Sequence, residues 1–199
     1  MALNRPLGLD RPGVRVQTIV RLRWSAIAGQ LLALLVVGVA MGFPIPWMPA
    51  LAAIGASASL NIGLKWLYRR TDRIDGRSAL FHLGFDLVQL AVLLFLTGGL
   101  SNPFALLLLV PVTISATLLS ARATMLLMAV ALALLVALWQ WHLPLPWQGE
   151  PFVLPGVYRL GILIAIGLGM IFLGTYAWQV SAEGRRRQAA LVATQAALE

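Results

Sequence analysis

Gly98-Gly99-Leu100-Ser101-Asn102-Pro103-Phe104 decides how this chain is read. It is an uncharged turn between two apolar runs, about 79–97 and about 103–120, each close to the roughly 20 residues that a spanning helix needs. An ordinary loop between membrane helices is polar and undistinguished. This one holds paired glycines that let backbone approach a neighbour, a carboxamide, a proline and an aromatic ring. Asn102 suits a helix N-cap and Pro103 the first helical position. One reading is therefore plain punctuation: Gly-Gly ends one helix and Asn-Pro starts the next. The other is a place to hold a flat, weakly polar molecule at membrane depth. Asn102 can donate or accept, the first N–H groups of the following helix lack intrahelical partners, and Phe104 offers a ring.

Working outward, the composition is that of a membrane protein. Hydrophobic residues make up 60% of the 199, charged residues only 11%, and mean hydropathy is +0.86. Soluble domains carry roughly 25% charged residues. Six apolar segments of spanning length follow one another, at about 25–43, 47–67, 79–97, 103–120, 123–141 and 157–180. An open sheet would leave backbone groups unpaired in lipid, so the expected fold is all-α, a six-transmembrane-helix bundle. Residues 1–23 read as a basic cytoplasmic tail whose part from Pro12 onward lies on the membrane surface. Residues 24–180 are the bundle, and 181–199 begin a cytoplasmic linker or signalling helix, rich in Ala, Arg and Gln. Leu191 and Leu198 stand one heptad apart in it, too little for a coiled coil. Pro111 is expected to kink the fourth span or loosen one of its backbone bonds. No second break of the GGxxNP kind appears in the other half, so no inverted repeat is read.

Charge fixes the orientation. Arg5, Arg11, Arg15, Arg21 and Arg23 precede the first span; Lys65, Arg69, Arg70, Arg73 and Arg77 surround the second connection. Arg122 lies in the fourth, and Arg185, Arg186 and Arg187 follow the last span. In a six-span chain all of these share one side and only Arg159 falls on the other. The positive-inside rule then places both termini in the cytoplasm. Trp24, Trp66 and Trp178 sit at inner ends, and Trp47, Trp139, Trp141 and Trp147 at or near outer ends, the headgroup levels that indoles prefer. The formal charge of +8 is thus inner-face charge facing membrane lipid, not a nucleic-acid footprint. The first span is longer than a signal-peptide core and is followed by no clear cleavage site. The chain has no cysteine, which excludes disulfides, thiol redox sensing and thiolate metal sites within it.

Three constellations bear chemistry. The turn, Gly98, Gly99, Asn102, Pro103 and Phe104, is the first. His82, Asp86 and Gln89 are the second, at spacing i, i+4, i+7 on one face of the third span. Asp86 is the acidic residue well inside a span, and such a group is costly in lipid. The favoured expectation is a polar seam with Asp86 neutral or paired with His82, joined by Asn61 or Gln30 from other spans. The alternative is a proton relay or cavity lining. Asp86 and Gly98 are separated by about 18 Å along the helix, so seam and turn are distinct. Arg159 beside Tyr158 is the third; it is expected to snorkel or to pair with Glu150. No catalytic set and no metal site is read.

The heptapeptide GGLSNPF at 98–104 resembles the GGxxNPF motif of the RegB/PrrB family of redox-responsive sensor histidine kinases. The RLRW entry at Arg21–Trp24, the six spans and the Arg-rich exit agree with that family, more generically. The resemblance implies a quinone-sensing membrane domain. Its ligand is ubiquinone at the turn; by position alone, Arg159 beside Tyr158 lies on the same side as the turn, and contact with a quinone oxygen is the alternative to its snorkelling or pairing. It also implies a phosphorylated histidine, an ATP-binding domain and a redox cysteine beyond Glu199; His82 and His142 do not match that histidine. A response regulator and a homodimeric full-length kinase are the implied partners, with oxidised quinone inhibitory. The competing classes are a small proton-coupled transporter or channel, for which Asp86 and His82 would serve, and a ligand-free membrane assembly partner. The topology has a direct check, since the background lacks cysteine. A Gln148→Cys variant is expected to react with a membrane-impermeant maleimide from outside; reaction from the cytoplasmic side alone overturns the orientation.

Overall fold

The structure, a computed structural model, describes residues 13–69, 71, 73–149 and 152–196, without the side chains at 185, 188 and 196. Arg5, Pro6, Arg11 and Pro12 of the tail, and Arg70, Glu150, Leu198 and Glu199, lie outside the described residues. The chain is an all-α membrane protein. Its helices are α1 (Val16–Leu35), closed by a π-helical turn at Val36–Ala40, α2 (Trp47–Leu67), α3 (Gly76–Leu96), α4 (Leu109–Leu118), α5 (Ala121–Gln140) and α6 (Gly156–Ala196). Five segments are long and apolar enough to cross a membrane: α1 with its π-turn, α2, α3, α5 and α6. A shorter apolar stretch, Pro103–Leu118, supplies the remaining pass.

Contacts between connections define two ends. Val14–Arg15 (β1) pairs antiparallel with Arg73–Ile74 (β2), which brings the entry to α1 beside the α2–α3 connection. At the other end Leu143 N–H donates to Phe95 C=O at 2.8 Å, and Gln148 Nε2 donates to Met41 C=O at 2.8 Å. We call the first the basic end and the second the turn end. The short ribbon was not foreseen, and it replaces the surface-lying segment expected after Pro12: helix begins at Val16, so residues 16–23 belong to the first span. α6 likewise runs without a break past 180. Its 41 residues extend about 62 Å, twice the hydrocarbon thickness.

The fourth pass solves a length problem. Gly99–Ser101 and Pro103–Leu108 are 3₁₀ turns, and α-helix starts only at Leu109. Sixteen residues of α-helix would reach about 24 Å, but six at the 3₁₀ rise and ten at the α rise reach about 27 Å, close to the roughly 30 Å core. Pro111 sits in the first turn of α4, so it marks the change of winding instead of kinking a mid-span helix.

The main core lies between α3, α4, α5 and α6, where Leu87, Leu94, Leu108, Leu135 and Met170 are fully buried. α6 approaches closely because Gly174 faces Val112 and Met128, and Gly169 faces Leu109. α1 and α2 share a smaller cluster, Ile27, Ala50 and Ile54, which touches α3 at Leu93. Large apolar side chains such as Leu32, Val39, Phe81, Leu168 and Phe172 are exposed, as lipid contact requires.

At the basic end Asp75 caps α3. The Ser78 hydroxyl, donating to its carboxylate at 2.5 Å, and the backbone N–H groups of Ser78 and Arg77 hold the Asp75 carboxyl below its usual value. A lowered carboxylate stabilises the fold above its unfolded value and loses that contribution as pH falls through the folded one. Protection of the first-turn amides of α3, taken as intrinsic over observed exchange rate, is therefore expected to fall as pH drops below the ordinary Asp range in wild type. An Asp75→Asn variant is expected to show no such acid-dependent step.

Candidate functional site

The turn end is built on two left-handed glycines. Gly98 has φ +103° and Gly99 φ +56°. A Cβ on Gly98 would stand 2.9 Å from Leu145 Cα; one on Gly99 would stand 2.7 Å from both the Leu138 carbonyl oxygen and His142 Cγ. Only hydrogen fits there, so the turn is clamped against the end of α5 and the loop that follows. Asn102 is fully committed within the turn. Its Oδ1 accepts from Phe104 N–H at 2.9 Å, and its Nδ2 donates to Thr97 Oγ1 at 2.7 Å and Thr97 C=O at 3.2 Å. Asn102 is thus the N-cap that its sequence context predicts, and its carboxamide is spent on holding the turn. Pro103 follows at the first helical position, and the Phe104 ring is 40% exposed.

His142 joins this group and was missed by sequence reasoning, which weighed it only as a phosphorylation site. Arg159 NH1 lies 3.1 Å from His142 Nε2, and His142 Nδ1 lies 2.9 Å from Leu143 C=O. A guanidinium only donates, so Nε2 accepts and the ring proton sits on Nδ1, donating to Leu143. Arg159 therefore does not simply snorkel. Its Nε is buried and has no hydrogen-bond partner among the described residues. Tyr158 next to it is exposed. Glu150, the expected partner of Arg159, is outside the described residues. The covering loop is stapled by Trp147, whose ring centroid lies 5.1 Å from that of Phe43 and 4.8 Å from that of Phe152.

Asp86 and Gln89 of α3 meet α1 through their side chains and His82 through its carbonyl, with a different partner from the one expected. Asp86 does not pair with His82. Arg23 Nε donates to Asp86 Oδ1 at 2.6 Å, and Arg23 NH2 donates to Asp86 Oδ2 at 3.1 Å and to His82 C=O at 2.9 Å. The Arg23 side chain is 1% exposed and that of Asp86 23%. Two turns further, Gln30 and Gln89 exchange hydrogen bonds at 3.1 and 3.2 Å. Asn61 Nδ2 donates to Val20 C=O at 3.1 Å, tying α2 to α1. The seam thus consists of Arg23, Asp86, Gln30, Gln89 and Asn61. His82 contributes its carbonyl; its Nδ1 is buried without a partner among the described residues. Counting Arg23 among the inner-face charges concealed this pair. The available signal was its position one helical turn before Ile27, and the structure shows it two turns inside the helix start at Val16. No group of three or more metal-ligating side chains occurs among the described residues.

Two sets of variants test these assignments. Gly99→Ala is expected to lower the melting temperature sharply, because left-handed backbone alone costs about 1–2 kcal/mol and the Leu138 carbonyl blocks the new methyl. Gly55→Ala, with open space around it, is expected to be neutral or mildly stabilising. In the seam, Asp86→Leu strands a buried guanidinium and is expected to cost about 3 kcal/mol or more. Asp86→Asn, which keeps an acceptor, should cost less, and the double variant Arg23→Leu/Asp86→Leu should recover most of the loss. Equal melting temperatures for Asp86→Leu and the double variant would refute the pairing.

Comparison with known proteins agrees with the resemblance carried by GGLSNPF. The chain is 43% identical over 186 residues to the sensor histidine kinase RegB of Cereibacter sphaeroides, covering 93% of this chain and 40% of that protein. It is 44% identical over 187 residues to the protein of the same name from C. sphaeroides strain ATCC 17023, covering 94% of this chain and 40% of the relative. The chain thus spans about two fifths of the length of these curated relatives. No solved structure matches it. Residues 14–192 match the model of the PilS-like transmembrane domain. With its multi-pass helical bundle and a match over nearly the whole described chain, the protein belongs to the PilS-like transmembrane domain family.

Proposed function

We propose that this chain is the membrane sensor domain of a bacterial two-component sensor histidine kinase. In this reading it lies in the inner membrane with the basic end and both termini in the cytoplasm, following the positive-inside rule. It binds the head of ubiquinone at the turn end and reports the redox state of the quinone pool through α6. The kinase core lies beyond residue 199, acts on a response regulator, and dimerises in the full-length protein. The relatives named RegB support the kinase assignment.

The observation that carries the ligand reading is the buried, unpartnered Nε of Arg159 beside the clamped turn. A quinone carbonyl is an acceptor that satisfies such a donor. Asn102, Gly98, Gly99 and Pro103 set the shape of the site, and Phe104 offers its exposed ring to the quinone plane. Arg159 takes the donor role first expected of Asn102, whose carboxamide is occupied. Ubiquinone supplies the redox difference: the oxidised head only accepts hydrogen bonds, and the reduced head also donates them. A site holding both forms equally cannot signal. A donor-only guanidinium discriminates between them, and couplings of this type are about 1–3 kcal/mol.

The route to the output runs along packed helices. The turn opens directly into the 3₁₀ stretch, which continues as α4, and α4 packs on α6 at Leu109–Gly169 and Val112–Gly174. A change at the turn is therefore delivered to the helix that leaves the membrane. The engagement of Asp86 by Arg23 weighs against a proton-coupled transporter, since it occupies the carboxylate such a carrier would use.

Ubiquinone titration of purified variants tests the reading. Arg159→Leu is expected to weaken binding by roughly tenfold or more, the worth of a charge-assisted hydrogen bond. Phe104→Ala is expected to weaken it about fivefold through lost ring contact. Asn102→Ala is expected to lower affinity together with melting temperature, because it removes the cap. Unchanged affinity in well-folded Arg159→Leu and Phe104→Ala would exclude the turn as the quinone site.

A further inference from the structure

A second candidate site lies at the opposite end of the bundle. Between the last turns of α2 and the first turns of α3 a groove of about 660 Å³ is walled by Leu60, Leu64, Leu67 and Phe81. His82 also lines it, is 93% buried by its 7% exposure, and has an Nδ1 without a partner among the described residues. Arg77 lines the same groove, and no ion pair to its guanidinium is formed among the described residues. Lys65 and Arg69 are exposed on the same connection. The described acid nearby, Asp75, is occupied by Ser78 and by the Arg77 N–H. Trp66 and Tyr68 complete the lining, with Trp66 70% exposed at the end of its span, where indoles meet headgroups.

An apolar trough, a cation at its rim with no ion pair among the described residues and a buried hydrogen-bonding ring call for an amphiphile with an anionic head. We propose that this groove binds one anionic glycerophospholipid of the surrounding leaflet. Its phosphate sits at Arg77, its acyl chain along the leucines and Phe81, and its polar ester or hydroxyl groups supply the partner that His82 lacks. Basic recesses between membrane helices at this level are suited to such headgroups. The site differs from the turn in place, in ligand charge and in residues, so it stands whatever binds at the turn. It also bears on packing. His82 C=O accepts from Arg23, so the turn of α3 that lines the lipid groove is the one that holds α1. Occupancy therefore reinforces the α1–α2–α3 arrangement.

Native mass spectrometry of the detergent-purified chain, titrated with equimolar phosphatidylglycerol and phosphatidylcholine, tests this. Wild type is expected to retain one phosphatidylglycerol in preference to phosphatidylcholine. Arg77→Gln is expected to reduce phosphatidylglycerol affinity about fivefold, one cation's worth near a membrane surface. Gly63→Leu, which has open space for its side chain and fills the groove, is expected to abolish the first bound lipid while circular dichroism stays unchanged. Arg122→Gln, on the same end but outside the groove, is expected to keep the preference. Equal retention of the two lipids by wild type overturns the proposal. So does an undiminished preference in well-folded Arg77→Gln or Gly63→Leu, or a loss in Arg122→Gln as large as in Arg77→Gln.

Discussion

A buried guanidinium and a partly buried carboxylate between membrane helices organise the first half of this protein. Arg23 and Asp86 meet at 2.6 Å across α1 and α3. Neither tolerates hydrocarbon alone, and each makes the other's burial possible. Their pairing sets the rotation of α1 about its axis. Once Arg23 faces α3, Gln30 two turns later faces Gln89, and Val20 C=O falls within reach of Asn61 on α2. Apolar packing of α1 is divided between Val16, Ile19 and Val20, which join the main core, and the smaller cluster around Ile27, Ala50, Ile54 and Leu93. Polar pairs thus set register where packing in lipid, lacking a hydrophobic drive between helices, discriminates poorly.

The second half is organised by close approach instead. α3 to α6 enclose the larger core, and glycine allows the contacts that fix it. Gly98 and Gly99 let the turn press on Leu145 and His142, and Gly174 lets α6 lie against α4 and α5. The fourth pass is short of α-helical residues, and its 3₁₀ opening stretches it to nearly the required thickness. Six consecutive 3₁₀ residues make a long run for that poorer hydrogen-bond geometry. It stands between a turn clamped at one end and a helix packed on α6 at the other.

The two ends divide the chemistry. The turn end collects an arginine, a histidine and aromatic rings under a proline-rich loop, and there the buried Arg159 Nε has no partner among the described residues. The basic end collects cations, exposed tryptophan and a groove. About 18 Å of α3 separates Asp86 from Gly98, so a ligand at one end reaches the other only through helices. α6 is the longest of these, and Leu191 and Val192 are exposed on its extension.

The sequence by itself determined the elements and the number of passes. Apolar runs of spanning length have few alternatives in lipid, and the predicted second span, 47–67, coincides with Trp47–Leu67. It also determined the cap at Asn102, because an Asx residue before proline at a helix start is a local matter between neighbours. Side-chain partners were decided only by tertiary structure. Periodicity placed His82, Asp86 and Gln89 on one face of α3, but which helix met that face was not local information, so Arg23 stayed hidden among the inner-face charges. The same holds for His142 and Arg159, seventeen residues apart and joined only because the loop folds back onto Phe95 and Gly99. The 3₁₀ winding was likewise out of reach, since it answers to the thickness of the membrane and the packing of α6 rather than to the propensities of Pro103–Leu108.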